Sequence, residues 1–212
     1  MLGKRCAGVF MMPNESRYLR LSTMHIDVEA LQALTHLCDP MKCIGRARGC
    51  CETYEVVVGR REQGTIVGTL DEASRFAIGL KEDGDFLEPF EETEGGTCLN
   101  TDEDGRCVFA YDDPLGATMC SLHSAALDLG LPPAEVKPRA CALWPLALVE
   151  GDPPLLTVQG GILDFPCNRV RGEGGGALDP GVASIVEAMF GHSVLTEITA
   201  ALATVKSRRV AG

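Results

Sequence analysis

The sequence predicts a single α+β domain, helix-dominated, with short strands and long cysteine-bearing loops. Three observations point there. At 212 residues the chain is long enough to bury one fair-sized core without needing covalent staples. Its apolar segments switch between helical spacing and short β-branched runs. Finally, its ten cysteines are spread through turn-rich stretches that join those segments. A hydrophobic content of 45% with 23% charged residues is ordinary for a globular chain and argues against long disorder.

The elements follow in order. In "MLGKRCAGVFMMPNES" the apolar run from Cys6 to Met12 is short for a signal peptide, and Pro13, Asn14 and Glu15 stand where small cleavage-site residues belong. It reads as a first strand within an N-terminal extension, residues 1–24. "HIDVEALQALTHLC" places Asp27 as an N-cap, with Ile26, Leu31, Leu34 and Leu37 at helical spacing, so a helix is expected to deliver Cys38 at its end. After a cysteine loop to Cys51, "YEVVVG" is the best strand, with "GTIVG" as its expected partner across Arg60 to Gln63. "TLDEASRFAIGLKEDG" reads as a capped amphipathic helix. The acidic stretch from Gly84 to Gly105 reads as an exposed connection carrying Cys98.

"RCVFAY" then predicts a short strand, "CSLHSAALDLGL" a helix ending at Gly130, and "AEVKPRACALWPLALVEGD" a loop into a strand paired with "PLLTVQG". Beyond the glycine stretch in "DFPCNRVRGEGGG", two helices are expected, from Pro180 to Gly191 and from Ser193 to about Lys206. No internal repeat or dividing linker is evident. The expected core spans residues 25–206, with a tail at 207–212.

Thirty acidic against nineteen basic side chains, a net charge of −11, disfavour nucleic acid and anionic membrane surfaces, both of which need a basic face. No stretch approaches the ~20 apolar residues of a membrane span. The expected location is the cytoplasm, whose reducing conditions decide how the cysteines are read. There, thiols persist unpaired unless a metal holds them. Cys50 and Cys51 are adjacent, and a disulfide between neighbours would close a strained ring, whereas both thiolates can reach a metal. Cys6, in an apolar run, suits a core position.

"CDPMKCIGRARGCC" puts Cys38, Cys43, Cys50 and Cys51 within fourteen residues. Four thiolates on Zn²⁺ or on a [4Fe-4S] core leave a net negative site that nearby cations offset, a role open to Lys42, Arg46 and Arg48. Further cysteines, Cys107, Cys120, Cys141 and Cys167, come singly from strand ends and loops. Eight candidates suit one four-ligand site and leave room for a second. The spacing is neither a zinc ribbon's nor a bacterial ferredoxin's, so pattern alone dictates no metal. "CSLH" pairs Cys120 with His123 as a mixed zinc donor set, although a surface histidine explains His123 as simply. His25, His36 and His192 show no convincing partners.

The C-x4-C-x6-CC cluster followed by "GRCVFAY", "MCSLHSAALDLG", "KPRACALWPLAL" and "DFPCN" resembles the bacterial YkgJ-type cysteine-cluster proteins, described as zinc- or iron-chelating domains. Its most specific part is the segment holding Lys137, Pro138, Cys141, Trp144 and Pro145. The resemblance implies metal ligation by Cys38, Cys43, Cys50, Cys51, Cys107, Cys120, Cys141 and Cys167, and a fold organised around that metal. Cys6 and Cys98 fall outside the motif. A related group, the flagellin lysine methyltransferases, carries a similar cluster as an iron-sulfur site and uses S-adenosylmethionine.

Three functions follow as expectations. The first is a metal-binding protein holding an iron-sulfur cluster, [4Fe-4S] ahead of zinc, in a structural, electron-transfer or sensing role. The second is an iron-sulfur-dependent methyltransferase acting on protein side chains, against which "GEGGG" follows a loop rather than a strand and makes a poor nucleotide turn. The third is a metal-free thiol redox protein using Cys50 and Cys51. A protein partner is compatible with each. The apolar setting of Cys107, Cys141 and Cys167 tilts the choice toward iron, since a dry shell protects a cluster and tunes it.

Overall fold

The computed structural model describes residues 17–44, 50, 55–172 and 177–210. The Cys6–Met12 strand and the roles assigned to Arg46, Arg48 and Cys51 lie outside the described residues, as does the side chain of Cys43.

The chain is mixed α+β. The described residues begin with β1 (Tyr18–Arg20), β2 (His25–Asp27), α1 (Val28–Gln32) and β3 (Leu34–His36), then a 3-10 turn over Pro40–Cys43. A long helix, α2 (Arg60–Ser74), precedes three hairpins: β4 (Lys81–Glu82) with β5 (Asp85–Phe86), β6 (Phe90–Thr93) with β7 (Gly96–Leu99), and β8 (Ala110–Asp112) with β9 (Thr118–Cys120). Three helices follow, α3 (Ser121–Asp128), α4 (Pro133–Val136) and α5 (Arg139–Leu143). The chain closes with β10 (Leu146–Val149), β11 (Leu155–Val158), β12 (Asn168–Val170), α6 (Pro180–Phe190) and α7 (His192–Val210).

Asp27 caps α1 as the sequence predicts: its Oδ1 accepts the Ala30 amide at 3.1 Å. The same carboxylate takes a two-pronged contact from the Arg17 guanidinium at 2.8 and 2.7 Å and a hydroxyl from Thr157 at 3.0 Å. The helix nevertheless stops at Gln32. Leu34 to His36 turn into β3, which pairs antiparallel with β12. Leu31 and Leu34 are both buried, and a spacing of three satisfies a helix face or a helix-to-strand step equally, so pattern alone misplaces the boundary. Cys38 is therefore delivered by a strand end, not a helix end.

Two further expectations are corrected. The described part of "YEVVVG", residues 55–59, lies along β7 instead of pairing with "GTIVG": Val57 bridges Cys98, the Val58 amide donates to Thr97 O, and the Leu99 amide to Val56 O, each at 2.9 Å. "GTIVG" lies inside α2, where Ile66, Leu70 and Ala73 form its buried stripe. Glu62 starts that helix by accepting the Gly59 amide at 2.7 Å on Oε2, which offsets the cost of two internal glycines. The helix expected from Thr69 to Gly84 is thus the second half of α2 followed by a 3-10 turn and β4.

The acidic connection between Gly84 and Gly105 also carries structure. Asp83 and Gly84 both have positive φ, 52° and 94°, the backbone a two-residue hairpin demands. Cys98 is fully buried in β7. Its thiol donates to Glu55 Oε1 at 3.4 Å and sits 3.5 Å from Thr93 Oγ1.

Packing gathers into two apolar clusters. The first joins the four-stranded sheet, in the order β1-β2-β11-β10, to α6 and α7, through Ile26, Leu31, Leu156, Val182, Ile198 and Leu202. In that sheet β2 and β11 run parallel and the other neighbours antiparallel. The second is built by the middle of the chain, with Val58, Ile66, Leu80, Phe109, Leu122 and Val136. The chain leaves the first cluster after β3, completes the second, and returns through α5. Among the described residues no helix is long and apolar enough to cross a membrane.

Candidate metal centre

Where the two clusters meet lies a cavity of about 310 Å³, lined by Cys38, Cys50, Cys107, Cys120 and Cys141. Its apolar wall comes from both sides: Val56, Leu99, Phe109 and Leu122 belong to the second cluster, and Ile185 packs on the first. Five thiols from separate stretches of chain thus line one partly open cavity, with Cys38 exposed at it.

Each is placed by a local device. Beyond β3 the ladder with β12 continues for one more bond, the Leu37 amide donating to Cys167 O at 2.8 Å. This sets Cys38 and Cys167 beside each other at the ribbon's end. Cys107 sits in a turn, bridged to Thr101, whose return is tied by the Ala110 amide to Cys107 O at 2.8 Å. Cys120 closes β9 opposite Ala110 and is the N-cap of α3, where the helix's positive end favours a negative charge. Cys141 lies in α5, whose start is pinned to α2 by the Arg139 amide donating to Glu62 Oε1 at 2.7 Å.

Burial pushes the Cys107 thiol up to about 12, with Phe109's backbone acting in the opposite sense and the charge of Cys120 adding to the rise. Burial likewise raises Cys167, to about 11; the nearby Cys38 and Cys50 add to this, and a hydrogen bond from the Trp144 side chain opposes it. Trp144 itself lines the cavity and meets Phe165 edge-on at 4.8 Å between centroids. These two thiols keep their protons at neutral pH without a cation to displace them.

The sequence-predicted ligands therefore divide. Cys38, Cys50, Cys107, Cys120 and Cys141 share the cavity, and Cys167 adjoins it through Cys38 and Cys50. Among the described residues, no three His, Cys, Asp or Glu side chains converge on a single point at metal-binding distance. Lys42 is not among the lining residues and pairs with Asp39 at 3.7 Å. The cation that lines the cavity is Lys137; it and burial hold His123, also in the lining, below its ordinary pKa, burial being the larger cause. His36 completes the polar wall. Lys137 was visible in "KPRACALWP" as part of the motif, but nothing in the sequence distinguished it from Lys42 as the nearer charge.

Sulfur chemistry and surroundings fit a bound metal. Thiolates suit zinc and iron-sulfur clusters, and valine, leucine, phenylalanine and tryptophan side chains make up much of the wall around them. Comparison with known protein families, curated proteins and solved structures finds no match.

Proposed function

We propose that this chain is a cysteine-cluster metal protein of the YkgJ type, holding an iron-sulfur cluster, or else zinc, in a structural, electron-transfer or sensing role. The observation that carries the reading is the single cavity at the meeting of the two apolar clusters, into which Cys38, Cys50, Cys107, Cys120 and Cys141 are brought from distant stretches of sequence. Cys43, Cys51 and Cys167 complete the set of eight candidates, of which one cluster or zinc takes four and the rest leave room for a second site, and Lys137 supplies charge compensation beside it.

Iron-sulfur is favoured over a lone zinc by spread. A single tetrahedral ion needs four sulfurs about 2.3 Å from one point, whereas each thiolate of a cluster binds a different iron, so the sulfurs stand further apart. Thiols arranged around a space of this size suit the second case. The methyltransferase alternative is less well supported: about 310 Å³ is at the small end of ligand pockets, and a cluster would leave little of it for a nucleoside cofactor. The metal-free redox alternative rests on Cys50 and Cys51, the latter outside the described residues; it draws no support from Cys107 and Cys167, whose thiols burial moves away from losing a proton.

The test is metal and acid-labile sulfide content of protein purified without oxygen, with visible spectra before and after reduction. Brown protein with about four irons and four sulfides per cluster supports the iron-sulfur form. Colourless protein with stoichiometric zinc makes the site a structural clamp. Protein free of both metals overturns the proposal.

A further inference from the structure

His36 has the features of a ligand. It is 7% exposed and lines the cavity. Its Nδ1 lies 2.7 Å from Asn168 Oδ1. The Asn168 amide orientation is fixed independently, because Nδ2 donates to Ile162 O at 2.9 Å, which leaves Oδ1 as the group facing the imidazole. A carbonyl oxygen only accepts, so Nδ1 carries the proton, and in the neutral ring Nε2 keeps its lone pair. Nε2 has no hydrogen-bond partner among the described residues. His36 pairs with Asn168 across the β3–β12 ribbon, and the same ribbon continues toward Cys38 and Cys167, the Leu37 amide donating to Cys167 O at 2.8 Å.

A metal-bound histidine characteristically donates its other ring N–H to a carbonyl or carboxylate, which fixes tautomer and orientation. The Ile162–Asn168–His36 chain of hydrogen bonds supplies that arrangement in a buried setting. We infer that His36, through Nε2, is a ligand of the same centre, giving it mixed sulfur and nitrogen donors. The inference rests on the proposed metal centre. Nε2 carries no proton, so forming the metal–nitrogen bond releases none from this residue. A neutral imidazole in place of a thiolate lowers the negative charge of the centre by one, which raises the potential of an iron-sulfur site. His123, the other histidine of the cavity, has no hydrogen bond fixing its ring among the described residues, so nothing sets its tautomer.

The experiment uses the full chain purified without oxygen and labelled with nitrogen-15 histidine. Pulsed EPR of the reduced centre reads bound nitrogen if iron is present, and X-ray absorption at the metal edge reads imidazole if zinc is. The wild type should show one imidazole. His36→Ala should lose it and keep the sulfur shell, whereas His123→Ala should retain it. Asn168→Leu, which leaves the ring in place but removes its acceptor, should weaken metal retention roughly 10- to 100-fold. His36→Asn serves as a second variant where His36→Ala does not fold. A metal-loaded wild type with sulfur donors alone overturns the inference and leaves the centre standing. An imidazole signal that survives His36→Ala and disappears in His123→Ala also overturns it. A wild type that binds no metal overturns both.

Discussion

Gly181, at the start of α6, lies against the carbonyl of His36 so closely that a β-carbon there would overlap the oxygen. Asp179, the N-cap of α6, holds the same place from the side: its Oδ1 accepts both the Gly181 amide at 3.0 Å and the His36 amide at 3.2 Å. Helix and strand thus approach where β3 hands the chain to Cys38. Gly181→Ala should push α6 away from β3, with an overpacking cost of about 1–3 kcal/mol, and should lower metal retention because His36 and Cys38 move with the strand. Urea unfolding together with metal content of the purified variant checks this; a variant of unchanged stability and full metal content would show the approach to be unimportant.

Glu62 makes a second connection at the centre. Its two carboxylate oxygens accept amides from different helices, Gly59 ahead of α2 and Arg139 at the start of α5, each at 2.7 Å. Glu62→Ala removes both and leaves the Arg139 amide without its acceptor. The expected loss is about 1–2 kcal/mol, discounted because the contacts are exposed to solvent. In metal-free protein the Cys141 thiol, carried by α5, should react faster with a thiol reagent in this variant than in wild type, while the Cys98 rate stays level.

Parts of this arrangement were legible in the residues and parts were not. Asp27 as a cap, α3 stopping at Asp128 just ahead of Gly130, the β10–β11 hairpin and the last two helices all rest on local signals, namely caps, glycines of positive φ and apolar periodicity. The errors fell where distant partners decided the outcome. Leu34 to His36 leave a helical pattern because β12 is there to pair with them, and "GTIVG" joins α2 because Glu62 caps that helix and Ile66 finds the second apolar cluster. The acidic composition of residues 84–105 masked two hairpins whose turn residues, Asp83-Gly84 among them, were in plain view.

The site follows the same rule. Cysteine type and density pointed to Cys38, Cys50, Cys107, Cys120 and Cys141, and these do share a cavity. What spacing could not give was which neighbours stand beside them. His36 gains its hydrogen-bond partner from Asn168, 132 residues away, and Trp144, just past α5, hydrogen-bonds Cys167 on another stretch of chain. Such pairings depend on the assembled fold.

Acid–base behaviour separates the metal-free and loaded proteins. In the metal-free protein Cys107 and Cys167 have pKa values raised to about 12 and about 11 from an ordinary value near 9. Between about pH 9 and pH 11 the unfolded chain has therefore lost these protons while the folded chain keeps them, so unfolding becomes easier as pH rises. With metal bound the folded state holds thiolates, and below about pH 9 it is the unfolded chain that carries more protons; stability then rises with pH. Urea midpoints should therefore fall as pH rises from about 9 to 11 for the metal-free protein, and rise with pH up to about 9 for the loaded one. A loaded protein whose midpoint does not rise below about pH 9 would mean that metal does not displace these protons.

Asp27 provides a control away from the cavity. Its carboxylate is 3% exposed and serves α1, Arg17 and Thr157 together. Asp27→Ala removes a helix cap and strands a guanidinium that is itself 39% exposed, so the ion-pair part is screened and the expected cost is about 2–3 kcal/mol. Metal content per folded molecule should not change. A proportionate loss of metal would indicate that stability alone, and no specific geometry, governs retention, and would weaken the interpretation of every ligand variant.

Against that control the ligand substitutions become decisive. Cys50→Ser and Cys51→Ser replace a soft thiolate by a hydroxyl that ionises only at high pH and binds iron or zinc poorly. Because metal binding and folding are coupled, each should lose most of its metal and several kcal/mol of stability. Cys98→Ser is the contrasting case: this thiol is buried in β7 among Thr93 and Glu55 and is not part of the cavity lining. It should cost about 1–3 kcal/mol if the hydroxyl is poorly paired, yet leave metal content per folded molecule intact. Metal analysis on all three, with stability measured on the same preparations, therefore distinguishes a ligand from a core cysteine. Retention of full metal by both Cys50→Ser and Cys51→Ser would remove the adjacent pair from the ligand set and leave the centre to Cys38, Cys43, Cys107, Cys120, Cys141 and Cys167.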